Sequence, residues 1–101
     1  GADVIVSHMG LTTSGDIGAE TALDLEAAAE RVQAHHDAAK DVNEDVMVIC
    51  HGGPIAWPDD AEYVLNNTEG VVGFFGASSI ERLPTEEAIE NQTREFKELD
   101  L

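Results

Sequence analysis

The stretch that decides the fold lies at residues 46–54 and reads Val46-Met47-Val48-Ile49-Cys50-His51-Gly52-Gly53-Pro54. Its five successive apolar residues indicate a strand buried on both faces, as in a parallel sheet. The strand ends at a histidine, two glycines and a proline, so polar groups follow it directly. Because ligands of parallel α/β proteins bind just outside the carboxyl ends of the strands, we expect a ligand site here.

Two further strands carry the same pattern. The first covers residues 4–6 and is followed by Ser7-His8-Met9-Gly10. The third covers residues 71–75 and is followed by Gly76-Ala77-Ser78-Ser79. All three apolar runs therefore end in short, polar or glycine-bearing segments.

Helical signals follow each strand. Apolar periodicity predicts a first helix that has Asp24 as its N-cap and ends near Asn43. Pro58 suits the first turn of a short second helix. Pro84 is expected to break the chain, and Thr85 to cap a last helix. Since strand and helix alternate three times with no hairpin signal, the strands are expected to be parallel and joined by right-handed crossovers.

A three-stranded parallel sheet of apolar strands is normally continued on both sides and covered on both faces. Three βα units have the size of the last three-eighths of a barrel of about 250 residues. The predicted fold class is therefore α/β, with three consecutive βα units that form about strands 6–8 of a TIM (βα)₈ barrel. Residues 1–101 would be the C-terminal fragment of a single TIM-barrel domain, expected to be marginally stable and to self-associate when alone.

The composition is strongly acidic. Twenty-one Asp and Glu residues against five Lys and Arg give a net charge of −16. Such a surface repels nucleic acid and anionic membranes, so neither is expected as a partner. Acid excess with scarce lysine predicts adaptation to a high-salt cytoplasm, and a merely acidic protein is the alternative. The chain is expected to be cytoplasmic, with its single cysteine, Cys50, as a buried packing residue and not a nucleophile.

His8 and His51 hold matching positions, each after an apolar strand. In one sheet both side chains would lie at the same edge, where a histidine can act as an acid or base, bind a carboxylate or ligate a metal. A structural hydrogen bond is the alternative for each. A metal site needs more ligands than these two histidines. Asp16 is the only obvious third candidate, so no metal is assigned. His35 and His36, by contrast, are expected on the helix surface.

Glycine-bearing turns after the strands suggest an anion site. Glycine lets the backbone approach a ligand closely, and successive free N–H groups can hold an anion. The candidate anion-binding residues are Gly10, Gly52, Gly53, Gly76, Ala77, Ser78, Ser79 and the nearby cation Arg82. Ser78 or Ser79 could also cap a short helix from about Ile80. Simple tight turns with a serine cap are the alternative.

Three separated motifs carry a resemblance that spans essentially the whole chain. They read Ala2-Asp3-Val4-Ile5-Val6-Ser7-His8-Met9-Gly10-Leu11-Thr12-Thr13, then Cys50-His51-Gly52-Gly53-Pro54-Ile55-Ala56, then Gly73-Phe74-Phe75-Gly76-Ala77-Ser78-Ser79-Ile80-Glu81-Arg82-Leu83-Pro84. In this order they resemble the phosphoenolpyruvate hydrolase-like family, also described as TIM-barrel signal-transduction proteins. That family occurs as a single domain or behind a nucleotide-binding domain.

The resemblance implies a (βα)₈ barrel related to phosphoenolpyruvate mutase and isocitrate lyase, usually with Mg²⁺. The implied function is hydrolysis, or C–C or C–P lysis, of a small phosphorylated or phosphono-2-oxo acid, with His8 and His51 at the barrel mouth. Acidic metal ligands of the related lyases come largely from earlier strands that this chain lacks, so the chain alone is expected to be inactive. Implied partners are a small anionic metabolite, the rest of the barrel or a nucleotide-binding domain, and a second copy in a homo-oligomer. The alternative is a non-catalytic metabolite-sensing, signal-transduction or interaction module.

Overall fold

The structure, a computed structural model, describes residues 1–11 and 24–100. In these residues the chain forms β1 (Val4–His8), α1 (Leu25–Val42), β2 (Met47–His51), α2 (Pro58–Asn66), β3 (Gly73–Phe74) and α3 (Leu83–Lys97). The strands form one parallel sheet in the order β1-β2-β3. The predicted α/β class, parallel sheet and strand–helix order are confirmed, whereas the position of these units in a barrel stays a prediction. None of the described helices has the length and apolar character needed to cross a bilayer.

The register of the sheet aligns the ends of its two long strands. Val4 lies opposite Met47, and His8 lies opposite His51. Since β1 and β2 have the same length and are in register throughout, their carboxyl ends meet at one edge. The loops that follow these strands therefore begin side by side.

The third strand is shorter than predicted. Only Gly73 and Phe74 pair with β2 as a strand, although single backbone hydrogen bonds from Val72 and Phe75 continue the contact at either end. Glycine weakens a strand interior because it loses more backbone entropy on folding than other residues and has no side chain that could pack. The short pairing still places Phe75 beside the carboxyl end of β2, where its N–H donates to the Cys50 carbonyl at 2.9 Å.

Capping chemistry fixes the start of α1 as predicted. Asp24 is its N-cap, and Asp24 Oδ1 accepts a hydrogen bond from the Ala27 N–H at 2.7 Å. Asn43 ends the helix, and Pro58 lies in the first turn of α2, both as predicted. The sequence was sufficient to predict these three positions because the residues at a helix end act within one helical turn.

The predicted start of α3 was wrong. The helix begins at Leu83, so Pro84 lies inside its first turn instead of breaking the chain. Thr85 is not the N-cap, because its hydroxyl donates to the Glu81 carbonyl at 2.6 Å. Proline lacks an N–H group and is tolerated in the first turn, where the amides have no partner within the helix. Arg82 occupies the N-cap position without a capping side-chain bond.

The core lies on one face of the sheet, between the strands and the first two helices. Its buried members are Met9, Ala28, Val32, Cys50, Ile55, Ala61 and Val64. On the opposite face Val4, Val6 and Met47 are 42–50% exposed. The expectation that the strands are buried on both faces is therefore wrong for the described residues, because α1 and α2 both pack on the Cys50 side. We call the other side, with Val4, Val6 and Met47, the uncovered face.

Burial of Cys50 predicts a loss of stability at alkaline pH. Cys50 is fully buried, as expected from the sequence, and burial raises the pKa of its thiol above the ordinary value of 9.0. Above that value the unfolded chain releases a proton that the folded chain retains, so the free energy of unfolding falls as pH rises. Urea unfolding at several alkaline pH values should show this fall, and Cys50→Ala should flatten it. The same pH slope in Cys50→Ala would contradict the prediction.

Candidate functional site

The two strand-end histidines lie in contact at the carboxyl edge of the sheet. The ring centroids of His8 and His51 are 4.7 Å apart, with an interplanar angle of 81°. Alternate residues of a strand share a face, so His8 lies on the same side as Val4 and Val6. The structure thus brings together the two histidines that the sequence singled out and places them at the end of the uncovered face.

One backbone group holds each ring. The Gly10 N–H donates to His8 Nδ1 at 3.0 Å. His51 Nδ1 lies 2.6 Å from the carbonyl oxygen of Phe75, whose ring also contacts His51 edge to face at 5.1 Å. Both Nδ1 atoms are therefore engaged, and no hydrogen bond within the described residues uses either Nε2. These two Nε2 atoms are the nitrogens that can meet a ligand.

Gly52 and Gly53 lock the first two strand-end loops together. The Gly53 N–H donates to the Gly10 carbonyl at 2.8 Å. Both residues have left-handed backbones, with φ of +82° and +60°. A Cβ at Gly52 would overlap the Gly10 carbonyl oxygen, and one at Gly53 would lie 2.5 Å from the Met9 carbonyl oxygen. The neighbouring loop therefore makes a close approach to both glycines, whereas their contact with an anion stays a prediction.

The turn at residues 76–79 offers unused amides. Within the described residues, none of its four N–H groups donates a hydrogen bond, while the Ala77 and Ser78 carbonyls accept bonds from residues 80–83. Successive free N–H groups form a concavity that suits an anion. The turn follows directly on the Phe75 carbonyl that holds His51. The predicted helix from Ile80 with a serine cap is not formed, because this segment is a turn that leads into α3 at Leu83.

The predicted cation of the site has an acidic partner. Arg82 Nη1 lies 2.7 Å from Glu86 Oε1, and each side chain is only about one-fifth exposed, at 21% and 22%. Because Glu86 lies one helical turn away, it balances the guanidinium charge locally. No three His, Cys, Asp or Glu side chains are grouped for a metal in the described part of the chain. Asp16, the third candidate ligand, lies outside the described residues.

Two histidines in α1 make contacts that were not predicted from the sequence. His35 Nδ1 lies 2.7 Å from the hydroxyl of Ser7, which is 2% exposed. The surface prediction was wrong for His36: its side chain is 12% exposed, Nδ1 lies 2.9 Å from Asp37 Oδ1, and Nε2 is buried beside Gly70. Gly70 has no side chain, so the turn before β3 closes over the ring. The helical spacing that put His36 on the apolar face of α1 was the available signal.

Comparison with known proteins gives one matching family and several relatives. The family described as phosphoenolpyruvate hydrolase-like matches residues 1–99. Two proteins of Solanum lycopersicum, the ToMV susceptible protein tm-1(GCR26) and the ToMV resistance protein Tm-1(GCR237), are 55% and 54% identical over 101 residues. The putative transcriptional regulatory protein y4pA of Sinorhizobium fredii is 33% identical over 97 residues, or 96% of the chain. The chain spans 13% of the length of each tomato protein and 16% of the bacterial one.

Proposed function

Because the chain belongs to the phosphoenolpyruvate hydrolase-like family, we propose that His8, His51 and the turn at residues 76–79 form one wall of a site for a small anionic metabolite. The observation that carries the proposal is the contact between the two histidines beside a turn whose amides donate no hydrogen bond within residues 1–11 and 24–100. The Phe75 carbonyl links the two parts, since it accepts from His51 and immediately precedes the turn. Imidazole and amide groups would therefore face the same ligand.

Neutral donors suit an anion in this protein for an electrostatic reason. An anion approaching the chain meets a net charge of −16, and the Arg82 charge is balanced by Glu86. Binding must therefore depend on short, directed hydrogen bonds and not on long-range attraction. Amides at a turn provide such bonds at close range. We expect a compact carboxylate or phosphoryl group as the ligand, and no preference for polyanions.

In the whole protein, the three βα units are proposed to be about strands 6–8 of a (βα)₈ barrel. The uncovered face would then line the barrel interior, and the histidines would face its mouth. The proposed reaction is hydrolysis, or C–C or C–P lysis, of a small phosphorylated or phosphono-2-oxo acid. The described edge does not fit Mg²⁺, because that ion prefers carboxylate and other oxygen ligands whereas this edge offers imidazole nitrogens and N–H groups.

The anion site is tested by removing one amide. Ser78→Pro deletes an N–H group in the turn before α3, whereas Ser78→Ala retains it and removes only the hydroxyl. Loss of one hydrogen bond to a charged ligand costs about 1.5–3 kcal/mol, so Ser78→Pro should weaken phosphate binding by about tenfold or more. Calorimetric titration of the whole protein with inorganic phosphate and phosphoenolpyruvate measures this. Equal affinities of Ser78→Pro and Ser78→Ala would remove the turn from the site.

A non-catalytic sensing or interaction module is the second candidate. The names of the relatives favour it, since they describe a ToMV susceptible protein, a ToMV resistance protein and a putative transcriptional regulatory protein, and none describes an enzyme. Turnover assays with phosphonopyruvate and phosphoenolpyruvate separate the two candidates. Binding without product would favour the module, and release of product that depends on His51 would favour the enzyme.

A further inference from the structure

We infer that His8 and His51 are held as opposite tautomers, so that Nε2 of His8 donates a hydrogen bond while Nε2 of His51 accepts a proton. This division deepens the proposed anion site and rests on it for the identity of the ligand. The tautomers themselves follow from the backbone groups that hold each ring. They can therefore be measured without any ligand.

The tautomer of His8 follows from its partner. The Gly10 backbone N–H can only donate, so His8 Nδ1 must present a lone pair to it across the 3.0 Å contact. A neutral imidazole carries one proton, which then lies on Nε2. His8 therefore presents an N–H group to a ligand. Such a group suits an anionic oxygen and cannot serve as a base.

The partner of His51 requires the reverse arrangement. A backbone carbonyl can only accept, so the 2.6 Å contact with the Phe75 oxygen requires a proton on His51 Nδ1. In the neutral ring Nε2 then has a free lone pair. His51 therefore presents a proton acceptor at the position where His8 presents a donor.

The two rings also differ in what protonation does to them. A proton added to His51 enters at Nε2 and strengthens the bond from Nδ1 to the Phe75 carbonyl, since charge-assisted hydrogen bonds are stronger. A proton added to His8 enters at Nδ1 and sets two N–H groups against each other at Gly10. Gly10 in turn accepts from Gly53, so the interlocked loops would be disturbed. No ion pair of the described residues involves either ring. The lone pair of His51 thus lies at Nε2, where a ligand can reach it, whereas the lone pair of His8 is held by the Gly10 N–H.

This asymmetry indicates the class of ligand. A molecule that suits the pair has an anionic oxygen close to a proton that can be removed, such as a carboxylate or phosphoryl group next to a hydroxyl or a bound water. The proton moves from the hydroxyl or water oxygen to His51 Nε2, and that hydroxyl or water oxygen keeps the electron pair of the broken O–H bond. The His8 N–H and the amides of residues 76–79 then stabilise the negative charge that remains.

Nitrogen NMR on the ¹⁵N-histidine-labelled protein at neutral pH tests the inference. Long-range proton–nitrogen correlation distinguishes the tautomers, and His8→Gln and His51→Gln assign the two signals. We expect the Nε2–H form for His8 and the Nδ1–H form for His51. The same tautomer in both rings, or averaging between forms in either ring, would overturn the inference.

Inorganic phosphate separates this inference from the proposed function. If both hold, phosphate shifts the His8 Nε2–H signal, and His8→Gln weakens phosphate binding by about tenfold while His51→Gln weakens it less. Opposite tautomers with no response to phosphate would support the assignment of the rings and remove the proposed anion site. A phosphate response with identical tautomers would retain the site and remove the division of roles.

Discussion

Gly53→Ala is expected to lower the free energy of unfolding by about 3 kcal/mol or more, enough to unfold much of a marginally stable domain. Alanine in a left-handed backbone costs about 1–2 kcal/mol, and φ at Gly53 is +60°. The new Cβ would also lie 2.5 Å from the Met9 carbonyl oxygen and 2.9 Å from Met9 Cβ. Relieving this overlap separates the loops and strains the bond from Gly53 to Gly10, which contributes about 1 kcal/mol.

Gly10→Ala is the matched control for this effect. Gly10 also has a left-handed backbone, with φ of +100°, but no described atom lies within 4 Å of where its Cβ would be. Its substitution should therefore cost only the conformational part, about 1–2 kcal/mol. Urea unfolding of the two variants gives the comparison. Equal losses would show that the interlock of the loops contributes nothing.

The contact between the loops after β1 and β2 also shows what the sequence could not indicate about the glycine pair. The two glycines after β2 correctly indicated a backbone that approaches something closely. What it approaches is the loop after β1, more than forty residues earlier in the chain, as the bond from Gly53 to Gly10 shows. No local pattern contains that information, because it depends on the register of β1 and β2. The same register brought His8 and His51 together, and there the sequence was informative because both ended apolar runs.

The wrong predictions for the start of α3 and for His36 have similar causes. The start of α3 was predicted wrongly because a proline such as Pro84 is compatible both with a break in the chain and with the first turn of a helix. The burial of His36 could not be read from α1 alone, since it requires Gly70 in a distant turn. Gln33 on α1 helps to hold that turn, because its side chain both donates to and accepts from the Glu69 backbone, at 3.2 and 2.7 Å. Local signals thus predicted the elements, whereas contacts between elements decided which polar groups were free.

The uncovered face is expected to make the 101-residue chain self-associate. Val4, Val6 and Met47 are 42–50% exposed on this face, and the strand register places Val4 directly opposite Met47. Burying apolar surface contributes about 25 cal/mol per Å², which favours contact between copies once salt screens the net charge of −16. Light scattering at increasing salt should therefore show a rising average mass. Val6→Thr with Met47→Gln should return the chain towards the monomer.

Val42→Thr is the control for this prediction, because Val42 is 89% exposed at the end of α1 and lies off the sheet. It should leave the average mass unchanged, and an equal effect of Val42→Thr would contradict a role for the sheet face.

The whole protein gives the sharper test. If this face lines a barrel interior, Val6→Thr buries a hydroxyl there and should cost about 1–3 kcal/mol of stability. The same substitution would then reduce self-association of the 101-residue chain but lower the stability of the whole protein. Reduced self-association of the 101-residue chain without a loss of stability in the whole protein would mean that the face is exposed in both, and the barrel proposal would have to be abandoned.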